Sequence, residues 1–157
     1  MMKNTSQERN AKGFTLIELI IVIGIMGILI AIAVPVYKSS VRKANEASAV
    51  GALNAIKVAQ TKYVIDHKQQ FGTFKQLFAE GYLDKRFNFD QPDIRGYFFI
   101  ITLIPKAEGK TASYGVNANP EQWEGIGATG KNFYYTDPDN GICVSKTGPA
   151  TAADDSL

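Results

Sequence analysis

The sequence predicts an α+β protein. One long N-terminal helix, membrane-spanning in its lower half and amphipathic in its upper half, packs against a small antiparallel β-sheet. Three observations lead there. Phe14 to Val34 is a run of 21 residues in which only Thr15, Glu18, Gly24 and Gly27 are not plainly apolar. From Val36 to Phe71 apolar residues recur with helical spacing and no proline intervenes. Beyond Gly72 the pattern turns to short aromatic and β-branched runs punctuated by Gly, Pro, Asn and Asp.

Residues 1–13 are polar and basic, with Lys3, Arg9 and Lys12 against Glu8. The remainder holds 14 basic and 14 acidic side chains, so the body is neutral and exerts no general pull on nucleic acid. Residues 14–35 form the membrane half. At ~1.5 Å per residue the run spans roughly 30 Å, the thickness of a bilayer's hydrocarbon core. Glu18 is the exception inside it, and a carboxylate there costs about 2.5–3.5 kcal/mol unless something answers its charge. Pro35 removes the hydrogen bond to the Ala31 carbonyl and predicts a kink or a loosened turn. Gly24 and Gly27 are three apart, not the four of a GxxxG contact. Lys38, Arg42 and Lys43 follow the run as three cations precede it, so flanking charge does not orient it. A conventional cleaved signal is the competing reading, with Ala31 and Ala33 as a small-x-small pair, but the run exceeds the usual apolar length.

Residues 36–71 form the amphipathic half. One apolar row runs through Val41, Ala44, Ala52, Ala55, Ile56, Ala59 and Tyr63, a second through Val50, Leu53, Ile56 and Val64. Lys38, Arg42, Lys57, Lys62 and Lys68 take the other face. Joined to the membrane half this makes a helix about 80 Å long, which needs partners along its length. Residues 72–157 form the head. Thr73 caps a short helix to Ala79 that stops near Gly81. Residues 84–95 are turn-like. Tyr97 to Ile104 reads as a buried strand ending at Pro105, and Ala112 to Asn117 as a second. Asn132 to Thr136 and Ile142 to Ser145 pair across a hairpin that contains Asn140-Gly141. The tail from Lys146 reads as loose.

Chemistry-bearing clusters are few. His67 is the sole histidine and is read as solvated; it excludes multi-histidine metal sites and triads built on several histidines. Cys143 stands alone, which excludes an intrachain disulfide, and is read as a buried inert thiol. Gly125 to Gly130 matches GxGxxG, but no helix follows, so it is read as a flexible loop rather than a dinucleotide site. Asp137, Asp139 and Asn140 in the hairpin, with Asp154 and Asp155 in the tail, could supply oxygen ligands for calcium, although the spacing is not that of an EF-hand. No other cofactor and no catalytic set is indicated.

Lys12-Gly13-Phe14-Thr15-Leu16-Ile17-Glu18-Leu19 resembles the processing signal of type IV prepilins and of type II secretion pseudopilins. The match covers a basic leader, a glycine, a phenylalanine, a glutamate four residues on and a long apolar run, and extends to Pro35. The resemblance implies the type IV pilin fold and removal of residues 1–13 by a prepilin peptidase. It further implies cleavage after Gly13, N-methylation of Phe14 and a head outside the inner membrane. Glu18 would then pair with the new amine of Phe14, its own or a neighbour's, and Gly27 to Pro35 would unwind on assembly. The implied function is a structural subunit, not an enzyme, that polymerises with copies of itself into an extracellular filament. Adhesion, twitching motility and DNA uptake are the family's roles. Its partners would be the peptidase, an inner-membrane assembly platform and minor pilins. A pseudopilin of a type II secretion system is the alternative, and a single-span anchored binding module or enzyme the third. The calcium expectation is strengthened by the related major pseudopilins, which bind that ion near their C-terminus. The lone Cys143 departs from the cysteine pair that closes a C-terminal loop in many pilins.

Overall fold

The computed structural model describes residues 13–157; most of the expected leader lies outside the described residues. The chain divides after Lys38 into two compact units. One helix, α1 (Leu16–Asp66), supplies both.

In the first unit α1 runs continuously through Pro35, and every residue from Gly13 to Lys38 is exposed. The second unit, Ser39–Leu157, holds the core. Here α1 buries Ala49, Ala52, Leu53, Ile56, Ala59, Gln60 and Tyr63. That stripe corrects the expected one, because Val41, Ala44 and Ala55 are exposed while Ala49 and Gln60 are buried. Alanines on this face leave room for the large side chains opposite, among them Phe74, Phe87, Tyr97, Phe99 and Tyr114. Each of these, removed from water, contributes about 1.5–3 kcal/mol.

The helix ends at Asp66, earlier than Phe71, because Lys68 and Gln69 take left-handed conformations (φ 50° and 64°). Gly72 does not itself end the helix. Buried Gln60 grips its backbone from both sides, with Nε2 donating to the Gly72 carbonyl at 2.6 Å and Gly72 N–H donating to Oε1 at 3.0 Å. A Cβ at Gly72 would stand 3.1 Å from the Tyr63 ring, so the position favours glycine. Helix α2 (Phe74–Ala79) follows as expected, with Thr73 and Gln76 forming a reciprocal capping box. A single 3₁₀ turn occupies Lys85–Phe87.

Five antiparallel strands form a meander in sequence order: β1 (Tyr97–Ile104), β2 (Ser113–Pro120), β3 (Phe133–Thr136), β4 (Ile142–Ser145) and β5 (Asp155–Ser156). The register sets Phe99 opposite Ala118, Ile101 opposite Val116 and Leu103 opposite Tyr114, so one face lines the core. The other face of β1 is exposed at Ile100, Thr102 and Ile104, so this strand is half-buried rather than fully buried. Strand β2 runs three residues past Asn117, and the tail is not loose. Ala150 is buried and its carbonyl accepts from Asn117 Nδ2 at 2.7 Å. Val144 faces Asp155 in the β4–β5 pairing. The glycine-rich loop is likewise tied down: Thr129 Oγ1 donates to the Gly96 carbonyl and Asn45 Nδ2 to the Thr129 carbonyl. At Gly130 a Cβ would collide with Tyr97 Oη, so that glycine packs against the core.

Candidate functional site

The sequence points to the start of α1. Gly13 lies in open space, with nothing within 4 Å of a Cβ placed there. Nothing within the described chain requires glycine at that position. Phe14 follows, 88% exposed. Thr15 then caps the helix. Its N–H donates to Glu18 Oε2 at 2.8 Å and its hydroxyl donates to the same oxygen at 2.7 Å. The Glu18 N–H donates back to Thr15 Oγ1 at 3.3 Å. This is a capping box, with Thr15 as cap and Glu18 in the first turn, where the helix dipole also favours an acid.

Thr15 is the capping side chain that the sequence reading missed, although Thr-x-x-Glu before an apolar run is the motif's signature. The carboxylate is therefore not naked. One oxygen is satisfied within the helix, while Oε1 has no hydrogen-bond partner among the described residues. Beyond the cap, Leu16 to Val34 presents large apolar side chains on all sides, including Ile20, Ile23 and Leu29, each about half exposed or more. This is a helix long and apolar enough to cross a membrane. A Cβ at Gly24 or Gly27 would meet nothing within 4 Å, so neither glycine answers a contact inside the chain. Pro35 lies inside α1, which continues past it to Asp66.

Among the suggested calcium ligands, the side chains of Asp137, Asn140 and Asp154 have other partners. Asp137 is buried, and its carboxylate accepts from Asp139 N, Asn140 N and Asn140 Nδ2 at 2.6–2.9 Å. Burial pushes this carboxyl up, but the bonds from Asn140, Asp139 and Tyr135 outweigh it and hold the group below the usual carboxylate range. Asp154 accepts from the Thr151 N–H and hydroxyl at 2.7 and 2.9 Å. Among the described residues no three His, Cys, Asp or Glu side chains gather to hold a metal.

Of two other expectations, Cys143 is found as read and His67 is not. Cys143 is buried, and burial pushes its thiol up, as befits an inert sulfur. His67 is not simply solvated. It stacks on Tyr63 with ring centroids 3.8 Å apart, its Nδ1 lies 3.0 Å from the Tyr63 carbonyl and its Nε2 lies 3.2 Å from Glu80.

A capped helix long and apolar enough to cross a membrane, together with a small antiparallel sheet, defines a class: α+β proteins with one long N-terminal helix. The prokaryotic N-terminal methylation motif matches residues 9–34. The chain is 34% identical over 76 residues to the competence protein ComGC of Bacillus subtilis strain 168, covering 48% of this chain and 78% of that protein. It is 43% identical over 58 residues to a fimbrial protein of Pseudomonas aeruginosa, covering 37% of this chain and 38% of the relative. It is also 46% identical over 56 residues to the type IV major pilin protein PilE1 of Neisseria gonorrhoeae, covering 36% and 34% respectively. The match thus spans little more than a third of the two fimbrial relatives. No solved structure matches the chain. The chain belongs to the type IV pilin and pseudopilin family, whose N-terminal methylation motif it carries.

Proposed function

We propose that this chain is the precursor of a type IV pilus subunit. In this reading it is cleaved after Gly13, N-methylated on Phe14, held in the inner membrane by its lower helix and polymerised into an extracellular filament. The observation that carries it is the apolar lower stretch of α1, which no described residue covers, with an acid in its first turn. Such a surface is stable in lipid or against other helices, not in water. Cleavage would leave a cationic amine on Phe14, one helical turn from Glu18. The capping box would survive it, since both Thr15 donors lie beyond the cut bond. Glu18 Oε1 would then accept from the amine of a neighbouring subunit, which favours bundling over an unpaired acid in lipid. Open space around Gly13 supports close approach by a prepilin peptidase.

The remaining partners would be copies of the chain, minor pilins and an inner-membrane assembly platform. The role is mechanical rather than catalytic. Mass spectrometry of the mature protein tests the reading: N-methyl-Phe14 is expected, and any other N-terminus overturns it. A pseudopilus subunit is the second reading. It is favoured by the lone Cys143, which cannot close a disulfide-bounded loop. Long surface filaments containing the subunit would decide for the pilus, their absence in secreting cells for the pseudopilus.

A further inference from the structure

The β3–β4 register sets Phe133 opposite Ser145, so Lys131 and Lys146 meet at one end of the sheet. Between them lies a hollow of about 410 Å³, lined by Trp123, Glu124, Lys131, Asn132 and Lys146. Trp123 is 44% exposed, an unusual fraction for the largest apolar side chain, and rests at 60° against the Phe133 ring with centroids 6.0 Å apart. The walls are fixed. Glu46 of α1 accepts from Lys131 N–H at 2.8 Å and from Asn132 Nδ2 at 3.3 Å. Neither lysine ammonium makes an ion pair among the described residues. A second hollow of about 180 Å³ shares Lys131 and Asn132 and adds Ser39, Arg42, Lys43 and Glu46, the last with its carboxylate already engaged by Lys131 N–H and Asn132.

We propose that this hollow binds an acidic oligosaccharide. The Trp123 ring offers a flat apolar face to the C–H face of a pyranose, and the two ammonium groups supply charge-assisted hydrogen bonds to its carboxylate. Glu124 and Asn132 provide acceptors for hydroxyls, and the hollow falls within the size range of small-ligand pockets. The adjoining hollow with Arg42 and Lys43 takes a second acidic residue. A polynucleotide is the rival anion, but it needs a continuous basic track. Here Glu124 stands in the wall, Glu121 is close in sequence and the chain from Phe14 onward is neutral. Every residue of the main hollow belongs to the head, and α1 supplies Arg42 and Lys43 to the adjoining one.

Trp123 is the only tryptophan, so fluorescence excited at the red edge, where the seven tyrosines do not absorb, reports on this site. The full-length protein in detergent micelles is titrated with trigalacturonate, maltotriose and a short oligothymidylate. Trigalacturonate is expected to give a saturable change that weakens with salt, with maltotriose about tenfold or more weaker. Lys131→Gln with Lys146→Gln, both on exposed positions, is expected to cost a similar factor while circular dichroism stays unchanged. Calorimetry on Trp123→Ala is expected to show binding lost. Equal response to maltotriose, no response to trigalacturonate at millimolar concentration, or tighter binding of oligothymidylate would each overturn the proposal.

Discussion

Leu16–Lys38 and Ser39–Asp66 are successive stretches of one helix, yet they are helical for different reasons. In the upper stretch Leu53 and Ile56 are fully buried and the head dictates which face is apolar. In the lower stretch Ile20 and Ile23 are about half exposed and apolar residues surround the axis. The upper helix is the wall of a core. The lower helix is an apolar surface that no other described residue covers. A helix apolar on one face is explained by its own domain, while one apolar all round points outside it.

The largest expected effect tests the lower stretch. Glu18→Ala should leave cleavage after Gly13 intact while filaments disappear, scored by mass spectrometry and electron microscopy. Normal filaments in that variant would defeat the intersubunit pairing. The upper stretch is tested by Ile56→Ala, expected to destabilise the head by about 2–5 kcal/mol in thermal melts. Ile23→Ala should leave the same melt unchanged, and equal shifts would erase the contrast. Gln60→Ala strands the Gly72 N–H and carbonyl and should cost about 1–3 kcal/mol.

A pH titration sharpens the contrast further. Burial, with the Asp137 charge behind it, pushes the Tyr114 phenol up to about 12. A raised value means stability that is full below the ordinary tyrosine range near 10 and is lost as pH rises through the folded value. Tyr114→Phe should therefore flatten the alkaline loss of head stability above about pH 10. The smallest effect is calcium. With the Asp137 and Asp154 carboxylates already accepting hydrogen bonds, millimolar calcium should leave the melting temperature unchanged.

Much of this was legible in the residues. Strands β1 and β4 fall where β-branched and aromatic runs are bounded by Pro and Asn-Gly, and Thr73 caps α2 as its position implies. Local chemistry sets those boundaries, so local reading finds them. What escaped depended on contacts far along the chain. Gln60 is polar and reads as surface, yet it is buried because Gly72, twelve residues on, needs both its amide groups. The tail looks loose until Asn117 is seen holding Ala150. Thr15 is different, since its signal was local. The glutamate drew attention to a charge needing a partner, when the threonine three residues earlier already supplied donors.

The two residues of β5 also matter for solubility. Strand β4 would otherwise end the sheet with an open row of amides and carbonyls, and such a row recruits other chains. Asp155 occupies it and brings a negative charge to the rim. A proteolytic nick just ahead of that residue would leave the core packing in place and still turn a well-behaved head into one prone to aggregate through its newly bared edge.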